Sequence, residues 1–194
     1  MRVVLATGNH GKLREFSELL APTDLLLVPQ SEFGIKPPPE TGVSFAANAL
    51  LKARYAARHS GLPALADDSG LEVDALGGAP GVYSARYAGE QASAADNIDK
   101  LLSALGGIAG AQRSARFHCV IAFVRSADDT APLLAFGQWE GRILPARRGA
   151  GGFGYDPVFQ DLASLRSAAE LDGAAKHTVS HRGKALRALL QQLS

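Results

Sequence analysis

The sequence holds one cysteine (Cys119), one tryptophan (Trp139) and one methionine, and its basic and acidic residues nearly cancel, leaving a formal net charge of +1. A single cysteine excludes an intrachain disulfide and any cysteine-built metal site, a composition that suits a reducing cytoplasm. The charge balance, with no dense basic patch, argues against a nucleic-acid or anionic-membrane surface. No apolar run approaches the ~18 residues that suggest a membrane span. The stretch "MRVVLA" has neither the apolar length nor the cleavage signature of a signal peptide. Any anionic partner is therefore expected to be small and held by a few well-placed cations.

What is present is an ordinary globular composition, 46% hydrophobic and 20% charged over 194 residues. That suffices for one sizeable core, and with no internal repeat or low-complexity linker the expected count is one domain over 1–194. Apolar patterning predicts strands at 3–6 and 24–28 and a helix at 13–20 closed by Pro22. Pro37, Pro38 and Pro39 mark 30–42 as an exposed loop. A longer helix is predicted at 44–59, ended by Gly61 and Pro63. "PALAD" reads as a strand and "LEVDAL" as another, followed by the turn-rich "GGAPGVYSARYAG". Ser93 is the expected N-cap of a helix ending near Gly106. A long strand at 115–124 has a candidate antiparallel partner in "PLLAFGQWEGRIL". Two further helices are expected at 164–171 and 180–193. Alternating strands and helices followed by an antiparallel pair imply an α/β protein with a mixed sheet.

Several loops could carry chemistry. "TGNHGK" joins a strand to a helix but fits neither the Walker loop nor the dinucleotide fingerprint. Either its backbone N–H groups and Lys12 hold a phosphate, or its glycines only permit a turn. "SHRG" puts His181 and Arg182 at the positive end of a helix dipole. A bound anion or an electron-rich ligand oxygen would offset that placement; otherwise both side chains extend into water. In "ADDSG", extended backbone turns Asp67 and Asp68 to opposite sides. One of them could bind a divalent cation or take a proton from water, or the pair could simply belong to an Asp-rich turn. Glu40, after the prolines, is a further candidate oxygen ligand. In "GGFGYDP", Phe153 either offers a face for stacking or plugs the core. Lys52 and Lys176 carry no signal of their own.

Taken in order, "TGNHGK", "ETGVSFAANALLKA", "ADDSGLEVDALGGAPGVYSARYAG", "GGFGYDPVF" and "SHRGKAL" resemble the inosine/xanthosine triphosphate pyrophosphatase (HAM1-like) family from residue 5 to the last helix. The resemblance implies an elongated, two-lobed mixed α/β fold with its site in a cleft between lobes. It implies Mg²⁺-dependent hydrolysis of ITP, dITP and XTP to the monophosphate and pyrophosphate by a homodimer. It places Thr7, Gly8, Asn9, His10, Gly11 and Lys12 against the substrate, with Lys52 and Lys176 as phosphate-contacting cations. Asp68 becomes the proton acceptor and a metal-site carboxylate, with Glu40 supporting the metal and Ser69 beside the substrate. Phe153, Gly154, Tyr155, Asp156, His181 and Arg182 surround the base. The sequence departs from the family pattern at Ala47, Ala175 and His177. Two other readings compete: a Maf-like pyrophosphatase of different base preference, and a nucleotide-binding regulator without catalysis.

Overall fold

The structure, a computed structural model, describes residues 1–193. Six strands form one mixed sheet in the order β2-β1-β3-β4-β5-β6. β1 (Arg2–Leu5) runs parallel to both β2 (Leu26–Pro29) and β3 (Ala64–Val73). β4 (Ser114–Val124) and β5 (Leu133–Ile143) are neighbours joined by residues 125–132. That link is too short for a parallel crossover, so the two run antiparallel. β6 (Phe159–Asp161) pairs antiparallel with β5 at the sheet edge. The helices are α1 (His10–Leu20), α2 (Phe45–Ser60), α3 (Ala94–Ala104), α4 (Gly173–Val179) and α5 (His181–Leu193). This is the mixed α/β architecture that the patterning implies. Among the described residues, no helix is long and apolar enough to cross a membrane.

Contacts divide the chain into two compact units. The first takes Met1–Asp68, Cys119–Gly137 and the chain from Arg182 onward; the second takes Ser69–His118 and Gln138–His181. The chain changes unit between Asp68 and Ser69 and again between His181 and Arg182, inside two of the motifs.

In the first unit the period-2 alternation of the strands builds two cores. Val3, Leu5, Leu65, Ile121 and Phe123 pack with Phe16 and Leu20 of α1 and with Leu186 and Leu189 of α5. Their neighbours Val4, Ala64, Ala66, Val120, Ala122 and Val124 pack with Ala49, Ala53, Ala56 and Ala57 of α2. The alternation thus sends successive side chains to different helices. Ser44 caps α2, its Oγ accepting the Ala47 N–H at 3.2 Å. In the second unit Leu71, Val73, Ile98, Leu101, Phe117, Trp139 and Phe159 share one core, and Ser93 and Asp96 form a capping box at the start of α3.

The structure corrects four local expectations. "PALAD" and "LEVDAL" are not separate strands; β3 runs unbroken through Asp67-Asp68-Ser69. α1 starts at His10, ahead of the expected 13, because Asn9 caps it by accepting the Lys12 N–H at 3.1 Å. The expected helix at 164–171 is only a 3-10 turn at Ala168–Glu170. Leu165 has φ +58°, a left-handed conformation that no α-helix accommodates. The real helix, α4, lies beyond it, capped by Asp172. Finally, Gln30–Phe33 forms a 3-10 turn at the start of the proline loop.

Candidate active site

Asp67 and Asp68 are consecutive residues of β3 and both are buried. Asp67 follows the parity of Leu65 and meets α1 and α5; Asp68 follows Ala64 and Ala66 and meets α2. Each aspartate therefore acquires its own set of partners.

Asp67 Oδ2 lies 3.0 Å from Lys12 Nζ and 3.1 Å from Arg182 Nη2. Arg182 is itself buried, and its Nη1 donates to Glu15, a buried acid of α1. Burial alone would raise the Asp67 pKa, but the charges of Lys12, Arg182 and Lys52 outweigh it and hold the carboxyl well below its ordinary range. Asp67 is thus a fixed anion. Cys119 sits on the same face with its thiol pKa pushed up, first by burial and then by Asp67.

Asp68 meets α2 through two residues one turn apart. Asn48 Nδ2 donates to Oδ2 at 3.1 Å and Lys52 Nζ donates to Oδ1 at 2.9 Å. Lys52 also reaches Glu40 Oε1 at 2.8 Å. Burial works against the Lys52 charge, but Asp68, Asp67 and Glu40 more than offset it, so the lysine stays protonated. At Asp68 burial wins. It raises the carboxyl pKa further than Lys52 and Lys12 lower it, which makes Asp68 a better proton acceptor than an exposed aspartate.

Glu40 and Asp68 converge on one ammonium group, so two hard carboxylate donors already face a single cation. Among the described residues no three His, Cys, Asp or Glu side chains gather into a cage. Mg²⁺ does not need one, since it commonly takes one or two carboxylates and completes its shell with water and substrate phosphate. The donor pair fits that ion.

In the second unit the "GGFGYDP" loop is organised by Asp156, which is buried. Its Oδ2 accepts the Phe153 N–H at 2.8 Å and pairs with Lys176 Nζ at 2.6 Å. A side chain on Gly152, at φ +71°, would collide with that carboxylate. Lys176 Nζ in turn stands 5.1 Å from the centre of the partly exposed Phe153 ring. Tyr155 is buried and donates through its hydroxyl to Ser84 O at 2.8 Å. His181 is buried and stacks on Phe117, with centroids 4.7 Å apart and planes 14° from parallel.

The Ham1 family model matches residues 3–192. The chain belongs to the Ham1 family. It is 56% identical to the dITP/XTP pyrophosphatase of Thioalkalivibrio sulfidiphilus, covering 100% of this chain and 98% of that protein. It is 58% identical to the dITP/XTP pyrophosphatase of Methylococcus capsulatus, over 99% and 96%. Among solved structures, a HAM1 protein from Coxiella burnetii superposes with TM-score 0.91 at 50% identity, covering 100% of this chain and 98% of that one.

Within this Ham1-family chain, the expected residues fall into two groups. Lys12, Glu40, Lys52 and Asp68 lie in the first unit, where Lys52 joins the two carboxylates and Lys12 pairs with Asp67. Thr7, Gly8 and the cap Asn9 form the turn into α1, and His10 and Gly11 are its first residues. Thr7 Oγ1 accepts the Asn9 N–H at 3.1 Å, so the turn is built from its own side chains. Phe153, Gly154, Tyr155, Asp156, Lys176 and His181 lie in the second unit, as does the partly buried Ser69. Arg182 belongs to the first unit, and its guanidinium engages Asp67 and Glu15. Sequence reasoning missed Glu15 and Asn48. Asn48 did leave a signal: it is an amide on a helix, four residues before Lys52 and hence on the same face.

Proposed function

We propose that this protein hydrolyses deaminated purine nucleoside triphosphates (ITP, dITP and XTP) to the nucleoside monophosphate and pyrophosphate. The observation that carries the reading is the Asp68 carboxylate, buried, raised in pKa and held at both oxygens, beside a second carboxylate on a shared cation. Water attacks the α-phosphorus, the bond to the bridging oxygen of the β-phosphate breaks, and pyrophosphate leaves. The proton of the water passes to Asp68. Lys12, Lys52 and Lys176 meet the phosphates; an ammonium has three donors, so each can keep its carboxylate and still take a phosphate oxygen. The turn Thr7–Asn9 and the first residues of α1, His10 and Gly11, lie against the substrate, with Ser69 beside them. Glu40 and Asp68 would hold Mg²⁺, which when bound neutralises triphosphate charge and eases departure of the leaving group.

Base selection is assigned to Phe153, by stacking, and to the segments Gly154–Asp156 and His181–Arg182. Donors there can bond a 6-oxo group but not the 6-amino group of adenine, and a polar pocket left unsatisfied discriminates strongly. The family resemblance also supports a homodimer acting in the cytoplasm, and sedimentation of the purified protein checks its oligomeric state. The deciding experiment is pyrophosphate release from dITP, XTP, GTP, ATP and dUTP, each with and without Mg²⁺. Selective, Mg²⁺-dependent release from dITP and XTP is expected. Equal release from all five would overturn the base assignment. Binding of dITP without release would leave a nucleotide sensor.

A further inference from the structure

We infer that Asn48 is a positioning residue that locks the loop carrying Glu40 to the carboxylate of Asp68, so that the two acids form one rigid set. The inference rests on the reading that Asp68 and Glu40 serve the reaction. Asn48 is fully buried in α2. Its Oδ1 accepts the Gly42 N–H at 2.7 Å, and its Nδ2 donates to Asp68 Oδ2 at 3.1 Å. A primary amide both accepts and donates in this way; an ionised aspartate lacks the donor and a leucine lacks both groups.

Gly42 supplies an independent sign of the same contact. A Cβ on it would stand 2.5 Å from Asn48 Oδ1, 2.9 Å from Ala47 Cβ and 3.0 Å from Asn48 N. Gly42 is not among the positive-φ glycines. The glycine is therefore required by how closely the loop seats on α2, and not by its own backbone conformation.

The contacts close a circuit. Gly42 binds Asn48, Asn48 binds Asp68, Asp68 binds Lys52, and Lys52 binds Glu40, two residues before Gly42. With Asn48 on one oxygen and Lys52 on the other, the plane of the Asp68 carboxylate is fixed. Its remaining lone pairs then point in set directions, which is what an acceptor for the proton of an attacking water needs.

Four variants test this: Asn48→Leu, Asn48→Asp, Gly42→Ala and, as reference, Asp68→Asn. For each, kcat and KM for dITP are measured with the melting temperature, and hydrogen exchange over 36–44 is followed by mass spectrometry. Asn48→Leu should lower kcat roughly 10–100-fold, the range seen when a supporting hydrogen bond is removed, and should speed exchange over 36–44. KM should move far less than kcat. Asn48→Asp keeps the acceptor for Gly42 but sets a second carboxyl against Asp68, which repels it when ionised and shares its proton when not, so exchange should stay slow while kcat falls. Gly42→Ala should speed exchange and lower kcat with Asn48 intact.

A residue that merely supports the fold would lower the melting temperature and leave kcat of the folded molecules unchanged. That outcome overturns the inference. If Asn48→Leu does not fold, Asn48→Asp and Gly42→Ala decide it by the same kcat criterion. Wild-type kcat in the Asn48 and Gly42 variants, with Asp68→Asn inactive, removes the inference and leaves the proposed reaction standing. Wild-type turnover in Asp68→Asn removes the proposed base, and the positioning role with it.

Discussion

Arg182 and Asp67, 115 residues apart in the sequence, are joined in a buried ion pair, with Nη2 3.1 Å from Oδ2. The arginine also holds Glu15, so one guanidinium compensates two acids that α1 and β3 bring inside. Losing it would strip Asp67 of one of its two close cations, Lys12 being the other, and Glu15 of its guanidinium partner, which makes the arginine structural whatever else it touches.

Arg182→Ala should therefore destabilise the protein by roughly 3–5 kcal/mol, the usual cost of removing one partner of a buried pair. Urea unfolding at neutral pH measures it. The same variant, assayed at a temperature where it remains folded, should show a lower ratio of dITP to ATP turnover. An unchanged ratio would remove Arg182 from base reading.

Acid should weaken the fold through Asp67. Its folded pKa lies well below the ordinary value of 3.8, so the stability this pairing contributes is fully present above about pH 4 and is lost as pH falls below that toward the folded pKa. Asp67→Asn removes the titrating group. Its stability curve should be flatter than the wild type below about pH 4, as read by unfolding midpoints between pH 2 and 7.

Asp68→Asn should keep the fold and most nucleotide affinity while losing turnover by a factor of roughly 10²–10⁴, the contribution of a positioned proton acceptor. Pyrophosphate release from dITP, compared with dITP binding by calorimetry, separates the two effects. Near-wild-type release would exclude Asp68 as the base.

Cooperativity can be read with two native probes. Trp139 is the sole tryptophan and lies in the second unit, with its indole N–H on Asp161 Oδ1 at 2.9 Å. Cys119 is the sole cysteine and is buried in the first unit. Burial and the neighbouring Asp67 keep its thiol protonated, so native protein should resist alkylation. One cooperative domain predicts that tryptophan fluorescence and thiol alkylation report the same urea midpoint. Separate midpoints would mean that the two units unfold independently.

Much of this site follows from short-range rules. A strand period of two separates Asp67 from Asp68, and the structure gives them partners on different helices. The order of the motifs identified the family. Other features depend on contacts that no local pattern encodes. Nothing near Arg182 in sequence marks Asp67 and Glu15 as its partners, because the pairing spans most of the chain. The expected helix at 164–171 is excluded by the positive φ at Leu165, and α4 is a separate helix with its own cap at Asp172. β6 is only three residues long, too short to show a period. Asn48 was legible only in combination with Lys52, as two polar residues one turn apart on a helix that is otherwise rich in buried alanine.

The way the chain passes between the units sets the order in which a growing polypeptide can complete them. Everything in the second unit has been synthesised once His181 is made. The first unit begins at Met1, yet its core still lacks Ala185, Leu186 and Leu189 of α5, and Asp67 still lacks Arg182. During translation β1, α1 and β2 are therefore made well before the α5 residues that pack against them. The first unit as a whole cannot be completed before the second has been made. The core that β1 and α1 begin is closed only by α5.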